Sequence, residues 1–200
     1  MTTNEEIEKS YRHYISEQYK IAGFPAKGTT INKQVFLDRY DEIPELMTTA
    51  IEAIKNKQNV FVMLDANDLQ WKYDIVCYLF NTFYVHRANI GDDSEEAFCK
   101  WVDSPIWFPK FDRNPDYDAM KGIKFIYLDA VIDFATHYKN HVYLLSNLIT
   151  FRKNSNVTTI MDAGDGERNI FKTIFEYPIF SENTKKMLLS DSIYIKMSNG

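Results

Sequence analysis

The chain has 200 residues, 45% of them hydrophobic, which is enough to bury the core of one domain. A formal charge of −5 and a pI near 5.4 exclude a protein that coats nucleic acid by bulk positive charge, although a local basic patch remains compatible with them. No apolar run approaches the roughly 20 residues of a membrane span and the N-terminus is polar, so the sequence predicts a soluble, cytoplasmic chain without a signal peptide.

Residues Thr3 to Ala22 read as a charged helix with Glu5 and Glu6 in its first turn and Gly23 and Pro25 as its stop. Its aromatic face, Tyr11, Tyr14, Ile15 and Tyr19, suits either packing on its own domain or docking a partner. The division of the chain is therefore an N-terminal helix, 1–22, and a domain, 23–200. Phe24 to Phe36 is predicted to be extended, punctuated by Pro25 and Gly28. A helix follows from Pro44, with Leu46, Met47, Ala50, Ile51 and Ile54 as its apolar face and Lys55-Asn56-Lys57-Gln58 at its end.

The stretch from Asn59 to Phe83 organises the rest. Val60-Phe61-Val62-Met63-Leu64 is a short apolar run, the pattern of a buried parallel strand. A polar turn, Asp65 to Gln70, leads into a helical recurrence through Trp71, Tyr73, Ile75, Val76, Leu79, Phe80 and Phe83. Strand, turn and helix is the frame of a phosphate-binding loop, and Lys72 stands where such a loop keeps its lysine. The glycines of G-x-x-x-x-G-K-[ST] are missing: Ala66, four residues, then Trp71-Lys72-Tyr73. Without glycine the backbone N–H groups do not wrap a phosphate, Tyr73 lacks the short hydroxyl that meets Mg²⁺, and Trp71 is expected to place its indole where phosphates would lie.

Beyond that helix, Tyr84 to Ile90 is predicted as a second strand, followed by a turn at Gly91 to Ser94 and a short helix through Phe98 and Trp101. Asp103 to Met120 is a long loop rich in proline and aromatics, in which Ile106, Trp107, Phe108 and Phe111 form either a buried lid or a partner site. Ile123 to Asp129 is a third strand ending in a carboxylate, the pattern in which Asp129 would hold Mg²⁺, but Ala130 stands where a water-polarising Glu is usual. A helix over Val142, Leu145, Leu148, Ile149 and Phe151-Arg152 leads to a fourth strand, Val157 to Asp162. Gly164 and Gly166 break the chain before a helix over Glu167 to Phe175. Ser181 caps a last helix through Leu189, and Ser192 to Met197 closes as a fifth strand. Strands alternating with helices predict a three-layer α/β domain with a parallel sheet of about five strands, Val60–Leu64 at its centre.

Other candidate chemistry is sparse. Cys77 and Cys99 lie in contexts read as helical and are expected to be reduced core thiols. His137 and His141 are four apart without the Glu or third ligand of a zinc motif, so with His13 and His86 they make no metal site. Neither Asp162 nor Asp165 has a partner legible in the sequence.

The order of these parts resembles the AAA+ core of bacterial helicase loaders of the DnaC/DnaI and IstB type, over roughly Tyr19 to Met197. The resemblance rests on AGFPAKGTTIN before a helix, AIEAIKNKQNVFVML, IKFIYLDA, YLLSNLITFRKNSNVTTIMDAG and MLLSDSIYIKM. It implies a P-loop-NTPase-like fold and a role in DNA replication, in a phage or plasmid setting. Lys72 and Asp129 would be vestigial nucleotide-site residues. The departures are collective: no loop glycines, Ala130 beside Asp129, Met161-Asp162-Ala163 where Ser or Asn is common, and no arginine in Leu188-Leu189-Ser190-Asp191, where Lys185 and Lys186 are the nearest cations. Such groups each contribute orders of magnitude in rate. The expectation is a non-catalytic, monomeric or small oligomeric protein with no cofactor. It would bind a replicative helicase or helicase loader through Tyr11, Tyr14 and Tyr19 or through Trp107, Phe108 and Phe111. Two alternatives stand beside it: a weak ATP- and Mg²⁺-dependent loader, and a single-stranded DNA binder that stacks bases on aromatic side chains.

Overall fold

Among the described residues strands and helices interleave, and each strand lies parallel to its neighbours. The computed structural model describes residues 37, 43–66, 69–87, 99–102, 120–129, 131, 142–163 and 180–197. The helix expected at Thr3 to Ala22, the extended segment Phe24 to Phe36, most of the loop from Asp103 and the helix at Glu167 to Phe175 lie outside these residues. The elements are α1 (Glu45–Lys55), β1 (Phe61–Ala66), α2 (Leu69–Arg87), β2 (Cys99–Val102), β3 (Phe125–Leu128), α3 (Val142–Asn154), β4 (Thr158–Asp162), α4 (Glu182–Ser190) and β5 (Ile193–Met197). The strands form one five-stranded sheet in the order β2-β3-β4-β1-β5, every pair parallel. The expected parallel α/β sheet is therefore present. β4, and not β1, is its middle strand, because the chain crosses from β1 to the far side of the sheet and later returns past β1 to place β5.

Side chains alternate across a strand, and here both faces are covered. Val62 and Leu64 of β1, Phe125 and Tyr127 of β3, Ile160 of β4 and Ile195 of β5 point to one side, where they meet Met47, Ala50 and Ile54 of α1 and Trp71, Ile75 and Phe83 of α2. Phe61, Met63, Ile126, Leu128 and Met161 point to the other, against Leu145, Leu148 and Ile149 of α3 and Leu188 of α4. Phe125 anchors the first core edge-on to Phe80, with ring centroids 5.6 Å apart.

Three local expectations change. Tyr84–Arg87 is helical, not strand, because α2 runs on to Arg87. No glycine or proline interrupts Trp71 to Arg87, and extending an existing helix is favourable even for β-formers. Cys99–Val102 is a strand, not a helix, pairing Cys99 with Phe125 and Val102 with Leu128, so tertiary pairing overrides its weak local signal. Leu46 and Phe151, expected on buried faces, are exposed, and the Lys121 ammonium lies 5.3 Å from the Phe151 ring centroid.

Helices α1 and α3 end by the same device. Gln58 N–H donates to Ala53 O and Lys57 N–H to Ile54 O, with Lys57 at φ 60°. Val157 N–H donates to Arg152 O and Asn156 N–H to Lys153 O, with Asn156 at φ 50°. This is the paired closure that glycine usually makes, with lysine and asparagine in the left-handed position. At α4, Ser181 Oγ accepts from Thr184 N–H as the expected cap. Arg152 is fully buried at the end of α3. Its guanidinium donates to Thr159 Oγ1 and to the carbonyls of Met120, Ile123 and Thr158, at 2.7 to 2.9 Å. It thereby joins α3, β4 and the approach to β3.

Candidate functional site

Ligands of parallel α/β sheets bind at the carboxyl ends of the strands, and there the described residues bring charges together. Asp162 ends β4 on the same face as Ile160, and Asp129 follows β3 on the same face as Tyr127. β3 and β4 are neighbours in register, Leu128 opposite Met161, so the two carboxylates stand side by side beneath the start of α2. Lys72, in the first turns of α2, reaches down between them. Its Nζ lies 3.3 Å from Asp129 Oδ1 and 3.4 Å from Asp162 Oδ1. The Tyr127 hydroxyl lies between the same pair, bonded to Asp162 Oδ2 and at 3.3 Å to Asp129 Oδ1.

All four groups are sequestered from water. The Lys72 and Asp162 side chains are each 3% exposed and that of Asp129 is 12% exposed. Tyr127 is fully buried. Burial pushes the Tyr127 hydroxyl well above the usual tyrosine range, and the charges of Asp162 and Asp129 push it further the same way. The phenol is therefore a fixed proton donor to the carboxylates. Among the described residues the cluster holds one ammonium and two carboxylates, a formal charge of −1. No group of three or more metal-ligating side chains occurs among the described residues.

The sequence-predicted pair Lys72 and Asp129 is thus brought together, and each faces the other. In a phosphate loop the lysine faces phosphate and the strand-end aspartate faces Mg²⁺. Here an ammonium sits on the carboxylate. Asp162, which showed no partner in the sequence, is the third member. Its pairing depends on β3 and β4 being neighbours, which no local signal carries. Trp71 corrects another expectation: its indole is 2% exposed and packs into the core with Ile75 and Val62. It does not fill a phosphate position.

Tyr11, Tyr14, Tyr19, Trp107, Phe108 and Phe111 lie outside the described residues. Cys77 is a buried thiol pushed up to about 12, first by burial and then by the charge of Asp74, which rules it out as a nucleophile near neutral pH. On the opposite face of β1, Asp65 accepts from the Tyr194 hydroxyl at 2.7 Å and ties β1 to β5. Among the described residues no helix is long and apolar enough to cross a membrane.

No family model matches the chain, and no curated protein matches it. Among solved structures the chain is similar to AMPPCP-bound DnaA from Aquifex aeolicus, at 10% identity, with a TM-score of 0.49 over 84% of this chain. It spans 52% of that protein's length.

Two variants test the cluster. Lys72→Met leaves two buried carboxylates without their cation, and urea unfolding should show a loss of ~3–5 kcal/mol. A lysine serving only a bound ligand could be replaced with little loss of stability. Tyr127→Phe tests the proton. An unfolded tyrosine releases its proton near pH ~10, whereas folded Tyr127 keeps it well above that. Above that pH the unfolded state binds fewer protons, so the stability contributed by Tyr127 falls as pH rises. Tyr127→Phe should lower stability at neutral pH by ~1.5–3 kcal/mol and flatten the alkaline limb of a stability–pH curve.

Proposed function

We propose that this chain is a replication-associated, helicase-loader-like protein that acts by binding other proteins and not by hydrolysing ATP. The observation that carries the reading is Lys72 held between Asp129 and Asp162 in a buried network. Both charges that would serve a nucleotide and its metal are engaged internally, at the sheet edge where such a ligand would bind. The supporting frame is a parallel sheet with a strand, a lysine-bearing helix and a strand-end aspartate in the places a P-loop domain gives them. The sequence resemblance to the DnaC/DnaI and IstB loaders supplies the replication context and the class of partner, a replicative helicase or a helicase loader.

With nucleotide chemistry set aside, affinity falls to apolar anchors, since a few large aromatics carry most of an interface's energy. Tyr11, Tyr14 and Tyr19 on the N-terminal segment and Trp107, Phe108 and Phe111 in the long loop are the candidates. Without a nucleotide to bridge one subunit to the next, the assembly is a monomer or a small closed oligomer.

Calorimetric titration with ATP and Mg²⁺ should give no saturable heat up to millimolar nucleotide. Micromolar binding would replace this reading with that of an ATP-dependent loader. For the partner surface, Trp107→Ala should weaken capture of a purified replicative helicase by ~2 kcal/mol or more while the melting temperature stays unchanged. A lowered melting temperature without a specific loss of capture assigns Trp107 to the core instead.

A further inference from the structure

A second site lies at the opposite, amino-terminal end of the sheet, where α3 closes and the turn after α4 enters β5. There a cavity of about 340 Å³ opens, lined by Phe61, Val157, Asn59, Asn156, Lys153 and Asp191. This volume falls within the roughly 300–1,000 Å³ of small-molecule sites, and polar side chains share the lining about evenly with apolar ones. We propose that this cavity binds a small zwitterion of the free amino-acid class, its carboxylate on Lys153 and its ammonium on Asp191.

Lys153 is fixed for that task. Its Nζ lies 5.2 Å from the Phe61 ring centroid and donates to Ser192 Oγ at 3.3 Å, so the side chain is laid across the floor. An ammonium has three N–H donors, and these contacts leave others to meet a carboxylate. Burial pulls Lys153 below the ordinary lysine range, and the charge of Asp191 draws it part of the way back. A cation already stripped of part of its hydration has less to lose when an anion arrives. On the other wall Asp191 accepts from Ser190 Oγ through Oδ2, leaving Oδ1 to receive a cationic group.

The two charges define the ligand class by exclusion. A simple anion on Lys153 would face the Asp191 carboxylate, and a simple cation on Asp191 would face the Lys153 ammonium. A zwitterion satisfies both walls and can lay an apolar side chain against Val157, which is half-buried. Asn156, locked at the end of α3 by its left-handed φ, places an amide at the rim. Nothing in this assignment depends on whether the opposite edge of the sheet binds nucleotide.

The test is saturation-transfer NMR on the full chain with the free L-amino acids, one at a time, at millimolar concentration. At least one should give a saturable signal. Its methyl ester, which lacks the carboxylate charge, and its deaminated acid, which lacks the ammonium, should each bind about tenfold or more weakly. Lys153→Met and Asp191→Asn should each weaken the amino acid by a similar factor. Asp191 is exposed, so Asp191→Asn keeps the fold and decides the question alone if Lys153→Met does not fold. Absence of any saturable signal overturns the proposal. So does undiminished binding to folded Asp191→Asn, or a deaminated acid that binds as tightly as the amino acid.

Discussion

Two carboxylates on neighbouring strands, with one lysine between them, set the terms for the carboxyl-terminal edge of this sheet. Asp129 and Asp162 are brought side by side by the register of β3 and β4, and in that dry setting like charges repel strongly. Lys72 and the Tyr127 hydroxyl are what make the placement tolerable. The requirement spreads outward from there. α2 must start directly above β3 and β4, and its first turns must face the sheet so that Lys72 points inward. Trp71 and Ile75 follow into the core on the same helix.

The same arithmetic fixes the charge at this edge. Among the described residues the cluster has a formal charge of −1, and its lysine is 2% exposed and in contact with both aspartates. A metal ion would find Asp129 occupied by an ammonium. Sequence alone attributed the defect to missing glycines and to Trp71. The indole lies in the core, and what the described residues show at this edge is Lys72 paired with Asp129 and Asp162. The opposite edge differs in kind. There the ends of α1 and α3 are closed by their own backbone, and Lys153 and Asp191 line a cavity.

How much of this could be read from the residues depends on the distance over which each signal acts. β1 and β3 were legible because each holds a continuous apolar run, β4 and β5 because β-branched and aromatic residues cluster between turn signals, and the cap at Ser181 because it is a local hydrogen bond. β2 was missed: Cys-Lys-Trp-Val is too short to distinguish strand from helix until β3 lies beside it. The end of α2 was missed because Tyr84-Val85 favours strand in isolation, while the preceding four turns carry the helix through it. Lys72 and Asp129 could be singled out by their places after β1 and at the end of β3. Asp162 was not, because its partner is 90 positions away and is reached only through a strand order that crossovers, not local patterns, decide. The central place given to β1 failed for the same reason. Arg152 was legible as part of a helix face but not as a fully buried clamp, since three of its acceptors are backbone carbonyls that sequence does not rank.

A buried ionic cluster is a weak source of net stability, because desolvating its charges costs about as much as their attraction returns. What it does provide is discrimination among arrangements. The side-chain period of a strand is two, so a one-residue slip of β4 against β3 would send Asp162 to the α3 face and leave Lys72 with a single carboxylate. A rotation of α2 by one residue would turn Lys72 away and bury Tyr73 or Trp71 over two unpaired aspartates. An apolar cluster at these positions would tolerate either error, since most hydrophobic side chains substitute for one another. Lys72, Asp129, Asp162 and Tyr127 therefore specify the register of the sheet and the rotation of the helix together. In this fold the ligands of Lys72 are Asp129 and Asp162 themselves.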